Sequence, residues 1–126
     1  MFQFKKHYTI EEARALLPQV RKWLELLNHC RQRIEQLEKR FEGLLAEGYD
    51  AGGDSVNQYI RTLSELRAVL VEFHTREIQV KDVERGLIDF PSLRQGREVF
   101  LCWESDDDDI EHWHELDSGF AGREPI

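Results

Sequence analysis

Two histidines near the C-terminal end, His112 and His114, are the residues whose type and spacing most directly suggest chemistry. They flank Trp113 in the segment "EHWHE". If this segment is a β-strand, alternate side chains point to the same face, so both imidazoles face one way. Two imidazoles on one face can ligate a single ion, with the remaining ligands supplied by other elements. The pattern predicts a site for zinc or another divalent transition metal.

Cys102 is the candidate third ligand because it precedes the acidic segment "SDDDD" at residues 105–109. If residues 105–109 form a turn, Cys102 pairs with His112, and both share a face with His114. This set leaves a fourth position open, where a metal-bound water would make a metal-dependent hydrolase. If the pairing is shifted by one residue, Trp103 faces His112 and Cys102 points away. The histidines would then form only the polar face of an edge strand.

Two arginines beside glycines form the second candidate site. Arg97 follows Gly96, and Arg123 follows Gly122. Arginine next to glycine backbone can bind a carboxylate or a phosphate through two hydrogen bonds, so Arg97 and Arg123 predict an anion-binding site. The alternative is an ion pair within the chain, with Asp89, Glu98 or Asp117 as the partner. No Walker-type loop, GxGxxG, GxSxG or HExxH pattern occurs, so no catalytic residue is assigned.

The charge distribution excludes some partners. The net charge is -8, and residues 98–126 hold the acidic excess, with ten acids against Arg123 alone. An acidic surface repels phosphate backbones, so we expect no nucleic-acid partner. No apolar run reaches the roughly 20 residues that span a bilayer, and no export signal precedes the two cysteines. We therefore expect no membrane association, a cytoplasmic location and reduced thiols.

Two long helices are predicted to position the candidate sites. Thr9 and Glu12 have the spacing of a capping box, which predicts that a helix begins near Ile10. Apolar residues then recur in steps of three and four as far as Leu44. Pro18 lies within this stretch and either kinks the helix or divides it.

The segment "EGYDAGGDS" has turn composition and is followed by a second apolar stripe. Its members are Val56, Tyr59, Leu63, Leu66, Leu70 and Phe73. A short connection makes the two helices antiparallel, which predicts a helical hairpin over about residues 10–79. Further apolar residues lie outside the main stripes: Leu16, Trp23, Leu26, Ile60 and Val69. Because one facing helix cannot cover all of them, we expect a homodimer or a higher homo-oligomer.

The C-terminal third has a different composition, with glycines and prolines between short apolar runs. It predicts an extended piece at 87–90 and strands near 98–104 and 110–116. These form a small antiparallel sheet over about residues 86–126, which must pack on the hairpin. The chain is thus predicted to be a single α+β domain over residues 1–126, with a long antiparallel helical hairpin and a small C-terminal antiparallel sheet.

Three segments, "YTIEEARALLP", "VKDVERGLIDFPSLRQGREVFLCW" and "HWHELDSGFAGREPI", resemble the family known as domain of unknown function 2203. The resemblance implies a bacterial cytoplasmic protein and carries no catalytic role. It directs attention to the sheet and tail, and so to Cys102, His112, His114 and Arg123. The first functional hypothesis is a non-enzymatic interaction or assembly module that self-associates through its helices. The second is a metal-binding protein or metal-dependent hydrolase centred on His112 and His114.

Overall fold

The computed structural model describes residues 1–49 and 52–126. Two helices, α1 (Ile10–Ala46) and α2 (Gly53–Thr75), precede five strands: β1 (Gln79–Asp82), β2 (Leu87–Arg94), β3 (Arg97–Trp103), β4 (His112–Glu115) and β5 (Glu124–Pro125). A 3-10 turn lies at Phe120–Gly122. The predicted α+β architecture is confirmed. Residues 50–51 of the predicted turn lie outside the described residues. Within the described part of the chain, neither helix combines the length and the apolar composition that a membrane span requires.

The start of α1 follows from local side-chain chemistry. The Glu12 N–H donates to Thr9 Oγ1 over 3.1 Å, and the Thr9 N–H donates to Glu12 Oε1 over 3.0 Å. These bonds satisfy two donors that a helix start leaves free, which confirms the capping box. The helix then continues through Pro18 to Ala46 as one element, so the proline does not divide it.

The orientation of α2 about its own axis differs from the prediction. The ring centroids of Trp23 and Phe73 lie 5.3 Å apart in an edge-to-face contact between the helices. This contact turns the Phe73 side of α2 towards α1. The other buried residues of α2 lie at seven-residue spacing: Ser55, Thr62 and Val69. The predicted inward residues Val56, Leu63 and Leu70 are instead exposed. The prediction was wrong for these residues, although Phe73 of the same stripe is buried, because the buried row includes the polar Ser55 and Thr62, which an apolar period does not detect.

The sheet is an antiparallel meander with the strand order β1-β2-β3-β4-β5. Its inner face packs on α1 and contributes Ile88, Phe90, Val99, Leu101, Trp103 and Trp113 to the hydrophobic core. Strands β2 and β3 meet at a two-residue turn in which Gln95 (φ 54°) and Gly96 (φ 76°) both have positive φ. This geometry is typical of a tight hairpin, and it extends β2 beyond the predicted end at residue 90.

Candidate functional site

The pairing of β3 with β4 decides which residues share a face with the two histidines. Cys102 lies opposite His112, and Phe100 lies opposite His114. The predicted register around residues 105–109 is therefore confirmed. Because paired residues point to the same side of a sheet, Cys102, His112 and His114 all lie on the face opposite to the helices. We call this the outer face.

Although the outer face points away from the helices, its centre is dry. Cys102 is 1% exposed and His114 is 2% exposed. The N-terminal segment covers one part, where the Phe4 and Phe100 rings lie 5.5 Å apart. Arg123 of the C-terminal tail lies near another part, close enough for its charge to act on the Cys102 thiol. The site is thus a buried polar cluster beneath two chain termini.

Asp89 is the member of the cluster that the sequence analysis missed. It lies directly opposite Cys102 in the pairing of β2 with β3. The ligand atoms of Asp89, Cys102 and His114 all lie within 4.8 Å of one another. The turn at residues 95–96 is the signal that could have found it, since a two-residue hairpin there places residue 89 against residue 102.

Both ring nitrogens of His114 have partners. Nδ1 lies 2.6 Å from the Glu115 carbonyl oxygen, and Nε2 lies 3.0 Å from Asp89 Oδ1. A carbonyl oxygen only accepts, so Nδ1 carries a proton and donates it to Glu115. One further proton is then held between Nε2 and the Asp89 carboxyl. Glu115 therefore fixes the orientation of the ring and directs Nε2 into the cluster.

Burial controls the protonation of the cluster. It raises the pKa of the Asp89 carboxyl, while the neighbouring His114 acts in the opposite direction. Burial, together with the charge of Asp89, raises the pKa of the Cys102 thiol to about 12, against the effect of Arg123. A thiol with this pKa stays protonated at neutral pH and is a poor nucleophile. The arrangement of Cys102, His114 and Asp89 is thus not an activated cysteine site.

His112 lies beside this cluster without belonging to it. Its side chain is half-buried, and its nitrogens are outside the group whose atoms lie within 4.8 Å. Its Nδ1 atom is buried and has no hydrogen-bond partner among the described residues. The predicted ligand set of Cys102, His112 and His114 thus divides into two clustered members and one adjacent imidazole.

The two arginines of the predicted anion site bind different carboxylates. Arg97 lies 2.6 Å from Glu115. Arg123 lies 3.1 Å from Asp107 in the acidic turn. Neither partner was among the acids considered in the sequence. Each guanidinium thus pairs with a carboxylate of the chain itself, which was the alternative to an anion site. Binding of an external anion stays a prediction.

Comparison with family models places the chain. The family described as "Uncharacterized conserved protein (DUF2203)" matches residues 6–126. The chain belongs to the DUF2203 family. The match includes the hairpin, the sheet and every residue of the cluster. No curated protein and no solved structure matched the chain. The description of the DUF2203 family names no activity.

Proposed function

We propose that this protein is a non-enzymatic assembly module that forms a homodimer through α2. The observation that carries the proposal is a row of exposed apolar side chains on that helix. Val56, Ile60, Leu63 and Leu70 are 38%, 55%, 40% and 44% exposed. Their spacing of four, three and seven residues follows one side of a helix, as in helices that pair along a seam. We call these four residues the α2 stripe.

The small number of charges along the α2 stripe indicates that a protein partner covers it and that it is not a solvent-exposed surface. The row contains one charged residue, Arg67, which lies between Leu63 and Leu70. The other four positions in the row are apolar. Charged residues make up 33% of the whole chain. A row with one charge in five positions is therefore unusually apolar for a surface of this protein, and such surfaces mark interaction sites.

A second copy of the chain is the occupant that best fits the dimensions. Since α2 has 23 residues, it is about 35 Å long. A hairpin face two helices wide and about 30 Å long covers on the order of 600 Å². A standard stable interface buries roughly 800 Å² per partner. Packing hairpin against hairpin in a four-helix bundle brings the interface close to that size and lets the same row cover itself.

Light scattering on the full chain tests the proposal. The unaltered protein is expected to have twice the 15.0 kDa mass of one chain. Leu63→Lys places a charge at the middle of the α2 stripe and is expected to give a monomer, because an unpaired buried charge is costly. Circular dichroism then checks that the variant retains its helices.

Leu93→Lys is the matched control, since Leu93 is also exposed, at 43%, but lies in β2 and outside the helical hairpin. This variant is expected to remain dimeric. A strictly monomeric unaltered chain at high concentration would overturn the proposal. Equal dissociation of the Leu63 and Leu93 variants would show that dimer formation does not depend on the α2 stripe.

The hydrolase hypothesis has less support than metal binding alone. A metal-bound water must meet a substrate, which requires an accessible position on the metal. Asp89, Cys102 and His114 are each at most 2% exposed. The cluster thus favours a closed structural site over a catalytic one.

A further inference from the structure

We propose that Asp89, Cys102 and His114 bind one divalent transition metal ion, with zinc as the best match, and that His112 turns to become the fourth ligand. This proposal does not depend on self-association through α2. Its residues lie on the outer face of the sheet. The ion would join β2, β3 and β4, the three central strands of the meander.

The spacing of the ligand atoms fits an ion of this size. The Asp89, Cys102 and His114 atoms lie within 4.8 Å of one another. Around a tetrahedral zinc with bonds of about 2.0–2.3 Å, ligand atoms are about 3.2–3.8 Å apart. Side-chain movements of about 1 Å or less therefore close the group around an ion.

His114 already has the orientation of a metal ligand. Its Nδ1–H donates to the Glu115 carbonyl oxygen over 2.6 Å. Ligating histidines almost always donate their second ring N–H in this way, which fixes the ring and leaves the other nitrogen for the metal. In His114 that nitrogen is Nε2, which faces Asp89.

His112 supplies an independent observation. Its buried Nδ1 has no partner among the described residues, although buried polar atoms usually have one. His112 also lies directly opposite Cys102, so the two side chains start from adjacent positions on the outer face. Rotation of the imidazole towards Cys102 would give the unpartnered nitrogen a metal ion.

The charges balance when the ion binds. The Cys102 thiol proton and the proton held between Asp89 and His114 leave to solvent. One thiolate and one carboxylate then neutralise a divalent ion inside a buried site, and Arg123 keeps its pairing with Asp107. Neutrality matters because an unbalanced buried charge is strongly unfavourable.

The chemistry of the ligands selects the metal. A thiolate, an imidazole and a carboxylate suit zinc or cobalt, whereas magnesium and calcium require mostly oxygen ligands. A mixed set with four protein ligands is also typical of closed structural zinc sites. Such a site stabilises the fold, because the ligands come together only in the folded chain.

Cobalt(II) titration of the metal-free full chain tests the proposal. One equivalent is expected to bind and to produce the charge-transfer absorption of a thiolate–cobalt bond. Cys102→Ser is expected to abolish this absorption, and Asp89→Asn and His112→Ala are each expected to weaken binding by about tenfold or more. Zinc is expected to displace the cobalt and to raise the melting temperature.

Cys30→Ser is the matched control, since Cys30 is the other buried cysteine, and its absorption is expected to be unchanged. If Cys102→Ser fails to fold, the cobalt(II) titration of the unaltered protein decides the proposal. Absence of thiolate–cobalt absorption in the unaltered protein overturns it. Unchanged affinity in His112→Ala overturns the fourth ligand. The titration measures cobalt ions bound per chain, so the test remains valid if the protein is a monomer.

Discussion

His114 Nε2 lies 3.0 Å from Asp89 Oδ1, and the two side chains are only 2% and 3% exposed. A buried pair of this kind is costly to break, because the remaining partner keeps its desolvation cost without compensation. The Cys102 sulfur lies within 4.8 Å of the ligand atoms of both residues. The pair therefore belongs to a polar cluster that connects β2, β3 and β4.

Removing one partner of this pair is expected to destabilise the protein strongly. In metal-free protein, Asp89→Ala leaves His114 buried without its acceptor, and the expected loss in the free energy of unfolding is about 3–5 kcal/mol. Urea denaturation measures this loss. Asp108→Ala, in the exposed part of the acidic turn, is the control and is expected to change stability by about 0.5 kcal/mol or less. Equal effects of the two substitutions would mean that the pair has no special role.

The Cys102 thiol is expected to resist alkylation in the native, metal-free protein. Burial raises its pKa to about 12, so at pH 8 only about one thiol in ten thousand is ionised. It is also 1% exposed. Mass spectrometry after iodoacetamide treatment is expected to show protection in buffer and rapid labelling in urea. Rapid native labelling at Cys102 would contradict the buried network.

The observed orientation of α2 predicts different effects for two residues of its predicted apolar stripe, Phe73 and Leu70. Phe73, which is 2% exposed, contacts Trp23, and Phe73→Ala is expected to cost about 3–5 kcal/mol in the free energy of unfolding. Leu70→Ala, on the exposed row, is expected to cost less than about 1 kcal/mol in dilute protein. Denaturation at low concentration compares the two. A larger loss for Leu70→Ala than for Phe73→Ala would contradict the observed orientation of α2.

The N-terminal segment is expected to loosen as the pH falls. Burial alone would raise the pKa of Glu98, but hydrogen bonds from the Gln3 and Phe4 N–H groups and from His7 hold it below its usual value. A lowered pKa gives stability that is present above the unfolded pKa and is lost as the pH falls through the folded pKa.

Glu98→Gln removes that charge and tests the link to pH. The unaltered protein is expected to be more stable than the variant at pH 7, and the difference is expected to shrink below about pH 4. Urea denaturation across this range measures it. A difference that does not vary with pH would show that ionised Glu98 does not hold residues 1–7.

Local patterns were predictable where one interaction decides the structure. The capping box of Thr9 and Glu12 depends on four consecutive residues, and the register of Cys102 with His112 depends on one turn. The rotation of α2 was not predictable in this way, because the exposed Leu70 and the buried Phe73 both fit the same apolar period. The tertiary contact between Trp23 and Phe73 selects between them.

Asp89 was missed for a related reason. Its place beside Cys102 follows only from the hairpin at residues 95–96, which the sequence analysis did not assign. Strands β1 and β5 were also missed, since they contain four and two residues and carry little periodicity. The sequence thus predicted the strand with the histidines and missed the aspartate that completes the cluster.

The most direct test of the assembly proposal is a crosslink at the middle of the α2 stripe. Leu63 lies midway between Val56 and Leu70, so it faces its own counterpart whether the two α2 helices pair parallel or antiparallel. Under mild oxidation, Leu63→Cys is expected to form a disulfide-linked dimer of twice 15.0 kDa, whereas Leu93→Cys, in β2, is expected to remain a single chain. A Leu63→Cys protein that stays uncrosslinked under the same conditions would contradict the account.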